Sequence, residues 1–203
     1  MGKSQLLVGG MGVALLGILM AAGCAKQESA APVAAAPVVA ATLPAGLTPE
    51  ASILDLMLGI VEPTANDLWG SVGSESTTKG TEEHTLKTDA DWDLARRRSL
   101  LLAEAANLLV VAGRPVAHPG QKLKQPGGAG EFTPEQAQVE IDKNRGSFVG
   151  FAVILQGSAR KLLAAVDKRD ADAFEQAGGD LDEACESCHK KFWYPDAPQP
   201  AAP

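Results

Sequence analysis

The stretch CESCHKKFWY, residues 185–194, constrains this chain more than any other ten letters in it. The whole sequence holds three cysteines and three histidines, yet two of the former and one of the latter crowd into five consecutive positions. On a helix, Cys185, Cys188 and His189 stand at i, i+3 and i+4, so the three side chains leave one face within about one turn. Such a face is suited to gripping one flat object through several bonds.

Cysteines at this spacing serve several chemistries. A dithiol redox pair needs a βαβ setting, and the helical pattern around Cys185 offers none. A structural zinc site needs a further ligand, and neither His84 nor His118 stands at zinc-type spacing from the pair. A structural disulfide leaves His189 without a use. Covalent haem attachment employs all three: two thiols add to the two vinyl groups of a haem, and the adjacent imidazole reaches the iron. The expected cofactor is one covalent haem c.

The N-terminal region points to export. Lys3 supplies a positive charge, Leu6 to Met20 forms an apolar, Gly-interrupted stretch, and residues 1–23 read as a signal peptide. The stretch is too short and too glycine-rich for a membrane span. It runs into Ala-Ala-Gly-Cys, which resembles a bacterial lipobox with Cys24 as the lipidated residue, although Ala21 stands where Leu is usual. The rival outcome is cleavage after a small residue and a soluble periplasmic product. Residues 24–47, rich in Ala and Pro, form an extended linker from that lipid anchor. The expected location is the periplasm of a Gram-negative bacterium, where c-type haem is attached outside the cytoplasm.

Residues 48–194 hold the domain, and 195–203 a disordered tail. Thr48-Pro49-Glu50 signals a helix start, followed by Ile53, Leu56, Met57, Ile60 and Val61 at helical spacing. Pro63 kinks or ends that helix before the pattern resumes at Leu68 and Trp69, and SVGSESTTKG reads as a loop. A second helix starts at Thr88 to Asp91, with Leu94, Leu101, Ala105 and Leu108 joined to Ala95, Leu102 and Leu109 in one apolar stripe. Arg98 falls on that stripe, free either to aim its guanidinium at an acidic group inside or to snorkel from the edge. After a Gly/Pro-rich loop over 113–132, Thr133 and Gln136 form a capping box, and apolar residues from Ala137 to Val166 mark one long third helix. Gly146, Gly150 and Gly157 share one side of it, as a close neighbour or chance would arrange. The fourth helix begins near Asp170, and Gly178-Gly179 is a candidate bend. With aromatics at 4% and no strand alternation, the expected fold is all-α: an antiparallel four-helix bundle whose C-terminal helix attaches the haem.

Over residues 48–194 the chain resembles the class II c-type cytochromes, the cytochrome c-prime group, in helix order, in the C-terminal place of the motif and in Phe192 three after the histidine. The resemblance implies Cys185 and Cys188 as thioether anchors, His189 as proximal ligand, and Phe192 beside the cofactor. Trp193 departs from it, standing where the pattern often has Arg; Arg98 or Lys191 would take over that residue's propionate or solvent contact. The resemblance also implies that the first helix crosses the distal face of the iron. Met57, on its apolar stripe, is the candidate sixth ligand, against a plain packing role for which methionine is well suited. His118 is a third option, in a flexible loop.

A thioether opposite His189 suits electron transfer; a five-coordinate iron would instead bind NO or CO as a scavenger or sensor. Formal net charge is −7, so nucleic acid is not an expected partner. Redox proteins are, together with the membrane through the lipid anchor and, by resemblance, a second copy paired through the first two helices. The expectation is a carrier rather than an enzyme.

Overall fold

The computed structural model describes residues 42–122 and 130–195. The expected leader, Cys24, the linker up to residue 41, the loop residues 123–129 and the tail beyond 195 lie outside the described residues. The described chain is mostly helical with one small two-stranded sheet.

Helix α1 (Ile53–Leu56), a π segment (Met57–Val61) and α2 (Glu62–Trp69) follow one another without a break. The start is not at Thr48. Ser52 caps it, accepting from the Asp55 N–H while Asp55 accepts from the Ser52 N–H. The Ile53 and Leu54 N–H groups, which a helix start leaves without internal partners, donate to the Pro115 and Val116 carbonyls at 2.9 Å each. Pro63 neither ends nor breaks the rod. Proline has no N–H, and in a regular helix its ring collides with the carbonyl four residues back; here the turn before it widens, and the Glu62 N–H reaches the Met57 carbonyl. A π turn of this kind carries one extra residue inside a helix.

The expected loop after Trp69 contains a hairpin, β1 (Gly73–Thr77) against β2 (Gly80–His84), antiparallel with Glu75 opposite Glu82. Both faces are polar, so no alternation announces it. Helix α3 (Asp89–Leu109) begins at the expected Thr88–Asp91 capping box. Its single stripe divides in two. Ala95, Leu102, Ala105, Ala106 and Leu109 are buried, whereas Leu94, Leu101 and Leu108 remain 38 to 47% exposed.

The expected third helix is two. Helix α4 (Pro134–Lys143) starts at the Thr133–Gln136 box and stops at Asn144, whose backbone leaves the helical region (φ −119, ψ 38), and α5 (Arg145–Lys168) follows. A Cβ added at Gly146, Gly150 or Gly157 would meet nothing within 4 Å, so those glycines mark no close approach. Helix α6 (Ala171–Phe192), capped by Asp170, passes Gly178-Gly179 unbroken. The close approach is there instead: a Cβ on Gly178 would touch the Trp69 indole at 3.4 Å. Helix α3 packs along α5 and α5 along α6, with α2 against α3 and, more lightly, α6. Leu68, Leu102, Leu162, Phe174 and Leu181 form the fully buried centre of this packing.

Candidate functional site

Between the α1–α2 rod and the C-terminal half of α6 lies a cavity of about 430 Å³. Ile53, Met57, Val61 and Ala65 line it from the rod; Phe148, Phe151 and Leu155 from α5; Cys185, Cys188, His189 and Phe192 from α6. The helical spacing of the motif works as the sequence implies, since all three of its chemical groups open into one cavity.

Neighbours hold the motif in place. Phe192 is buried and meets Phe148 and Phe151 edge-on, at centroid distances of 5.5 and 6.0 Å. The Trp193 ring stands edge-on to His189 at 5.1 Å, and the His189 carbonyl accepts from the Trp193 and Tyr194 N–H groups, ending the helix. The Tyr194 hydroxyl donates to the Glu186 carboxylate on the preceding turns. Trp69 ties the two walls together through its indole N–H, which donates to the Gly178 carbonyl at 2.9 Å.

Electrostatics leave the motif uncharged. Cys185 and Cys188 are free cysteines; burial pushes their thiols up to about 11 and about 12, helped by Asp182 and by Cys185 respectively. Burial lowers the pKa of His189 against the opposing pull of Glu186, so at neutral pH its imidazole is neutral and keeps a lone pair for a metal. The Tyr194 hydrogen bond does most to hold the Glu186 carboxyl below its ordinary range, while burial and that same carboxylate raise the phenol.

The other expected site residues divide. Met57 lines the cavity on the wall opposite His189. Arg98 does not join it: its guanidinium pairs with the exposed Asp67 carboxylate of α2 at 2.7 Å, across the α2–α3 seam. Lys191 sits 3.9 Å from Glu140 and 5.5 Å from the centre of the Phe192 ring. His118 is also elsewhere, contacting the Glu50 carbonyl at 3.0 Å and the Asp55 carboxylate at 3.4 Å beside the start of α1. Sequence reasoning passed over Trp69, Phe132, Phe151 and Glu62, all in the cavity wall. Aromatic residues in so aromatic-poor a chain were the available signal for the first three; for Glu62, next to a proline in an apolar run, there was none.

The arrangement suits a flat apolar group. The lining is predominantly hydrocarbon, the two thiols are unoxidised and on one edge, and a neutral imidazole stands beside them. The family model of cytochrome C' matches residues 85–193, just over half of the chain. The chain belongs to the cytochrome C' family. It is a haem protein by that membership, and the matched span ends on Trp193, taking in the whole Cys-x-x-Cys-His motif. Searches of curated proteins and of solved structures gave no match.

Proposed function

We propose that this protein is a monohaem c-type cytochrome that carries electrons. The observation that carries the proposal is the meeting of Cys185, Cys188, His189 and Met57 in one cavity, from two facing helices. Cys185 and Cys188 would hold the haem covalently through thioethers, and His189 would ligate its iron. Phe192, wedged between Phe148 and Phe151, keeps the end of α6 from shifting under them. When bound, the haem supplies reversible one-electron iron chemistry. The chain's own part is to exclude water with an apolar lining and to fix the ligand geometry, which favours a carrier over an enzyme.

Met57 offers a thioether as the sixth ligand of a carrier, which would raise the potential relative to a ligand-free face. A second reading rests on the remainder of that wall. Ile53, Val61 and Ala65 are apolar, so with Met57 kept in the packing the face would admit a diatomic gas, as in an NO or CO scavenger or sensor. Reduced-minus-oxidised absorption spectra with and without carbon monoxide separate the two. A sulfur-to-iron charge-transfer band that disappears in Met57→Ala supports the carrier; rapid carbon monoxide uptake by the unmodified protein overturns it in favour of the gas binder. Haem itself is tested by extraction: pigment should stay with the protein in acid acetone, and colourless exported protein would defeat the whole reading.

In this reading the helices form an antiparallel four-helix bundle, with α1–α2, α3, α4–α5 and α6 as its members. The protein is exported, held at a periplasm-facing membrane through Cys24, and exchanges electrons with other redox proteins. The exposed Leu94, Leu101 and Leu108 on α3, seven residues apart, support pairing of two copies. Leu101→Asp should turn a dimer into a monomer in sedimentation.

A further inference from the structure

Trp193 carries a hydrogen-bond donor that the described residues leave without an acceptor. Its indole N–H is buried and, among the described residues, has no partner, a situation that is destabilising when nothing relieves it. The ring has little freedom to seek one. Its backbone N–H donates to the His189 carbonyl at 2.8 Å, its own carbonyl accepts from the Phe132 N–H at 2.7 Å, and its ring is packed edge-on against His189. Trp69, by contrast, spends its N–H on the Gly178 carbonyl.

Because Trp193 lines the cavity, the missing acceptor belongs to whatever fills it. A haem is poor in acceptors: its pyrrole nitrogens are committed to the iron, its rim is hydrocarbon, and only the two propionate carboxylates remain. Thioethers at Cys185 and Cys188 fix the vinyl edge of the ring, so the propionates leave from the opposite edge. Trp193 follows His189 by four residues, so along the chain it lies beyond the histidine from Cys185 and Cys188.

Among the described residues, the cavity wall offers those carboxylates no cation. The charged side chains lining the cavity are Glu62, Asp182 and Glu186, while Arg98, Lys190 and Lys191 are turned to Asp67, Glu186 and Glu140. We propose that the indole N–H of Trp193 donates a hydrogen bond to a haem propionate, acting as a neutral anchor for that edge of the cofactor. A hydrogen bond to a charged acceptor is short and strong compared with a neutral pair, so one donor suffices to orient the group.

This assignment, which rests on the covalent haem reading above, is tested by resonance Raman spectroscopy of the holoprotein and of Trp193→Phe, which keeps an aromatic edge against His189 but has no N–H. The propionate bending band should shift in the variant while the porphyrin bands that report the iron's spin and ligation state stay put, and Trp193→Arg, which restores a donor, should move the propionate band back. In a redox titration, losing the donor should shift the equilibrium about threefold towards the oxidised form, roughly 30 mV for a one-electron couple. Substituting the benzothiophene isostere of tryptophan at 193 repeats the comparison at unchanged shape, should the Phe variant load haem poorly. A propionate band unmoved in both, or a shift confined to the spin- and ligation-marker bands, overturns the proposal and leaves Trp193 a packing residue. Colourless wild-type protein overturns the haem reading, and this assignment with it, before any variant is compared.

Discussion

The two walls of the cavity are built on different principles. The α6 wall concentrates bond-forming groups: two thiols, an imidazole and an indole N–H fall within nine residues at the end of that helix and its cap. The α1–α2 wall supplies shape, through Ile53, Val61, Ala65 and a widened turn, with Met57 as its one soft donor atom. The family match covers the first wall and not the second, since it begins at residue 85. Chemistry that needs particular atoms at particular spacings leaves a sharp trace in a sequence. A wall that needs only volume and apolarity is met by many sequences.

The largest effect should come from the bond-forming wall. Replacing Cys185 and Cys188 together with Ala should release essentially all pigment into acid acetone, and colour retained on the protein would erase the distinction between the walls. Packing, however, should not distinguish them. Leu181→Ala on α6 and Leu68→Ala on α2 remove side chains of 0 and 1% exposure, and each should cost ~2 to 5 kcal/mol in denaturant unfolding. A much cheaper Leu68→Ala would mean that the rod is only loosely held.

Met57→Leu sharpens the comparison by keeping volume and removing sulfur. It should cost less than ~1.5 kcal/mol, leave the haem attached, and abolish the sulfur-to-iron absorption band. A smaller effect is expected where the walls are stitched together: Trp69→Phe gives up the hydrogen bond to Gly178, at ~1 kcal/mol in unfolding free energy.

The smallest effect concerns the cap of α1. The Ser52 backbone N–H and hydroxyl, 2.9 and 2.8 Å from the Asp55 carboxylate, with further help from Gln121 and against slight desolvation, hold that carboxyl below its ordinary range. A carboxyl lowered in the folded state stabilises fully above its unfolded pKa and loses that contribution as pH falls through the folded value. Asp55→Asn should therefore lower the melting temperature slightly at neutral pH, and the gap from wild type should close on acidification. A gap that stays constant with pH would remove the carboxylate from the cap.

The same contrast explains what was legible in the sequence. Three helix starts could be read at Thr88, Thr133 and Asp170, because a capping side chain acts on its own next turn. The start at Ser52 was missed, since Thr48-Pro49-Glu50 mimics one and the choice is made by the distant Pro115 and Val116 carbonyls. Periodicity found the apolar arc of α3 but not its division, because Leu94 and Ala95 differ by a single residue step and only tertiary packing decides which faces inward. The hairpin is polar on both faces and gives no period-two signal. For Arg98 the deciding partner, Asp67, lies on another helix, beyond any local pattern.

The π turn ahead of Pro63 has a consequence for how this wall can vary. Each residue of an α-helix advances the chain by about 100°, and the wide turn absorbs one such step, so the two halves of the rod keep the register of a helix one residue shorter. Excising Gly59 would close the wide turn and leave Ile53 and Leu56 at nearly their present angle to Ala65 and Trp69, but it would set the Pro63 ring against the carbonyl four residues back. Losing a single codon here would keep both halves of the wall aimed as they are and exchange a roomy turn for a proline collision, which ties the tally of residues between Leu56 and Pro63 to the proline itself.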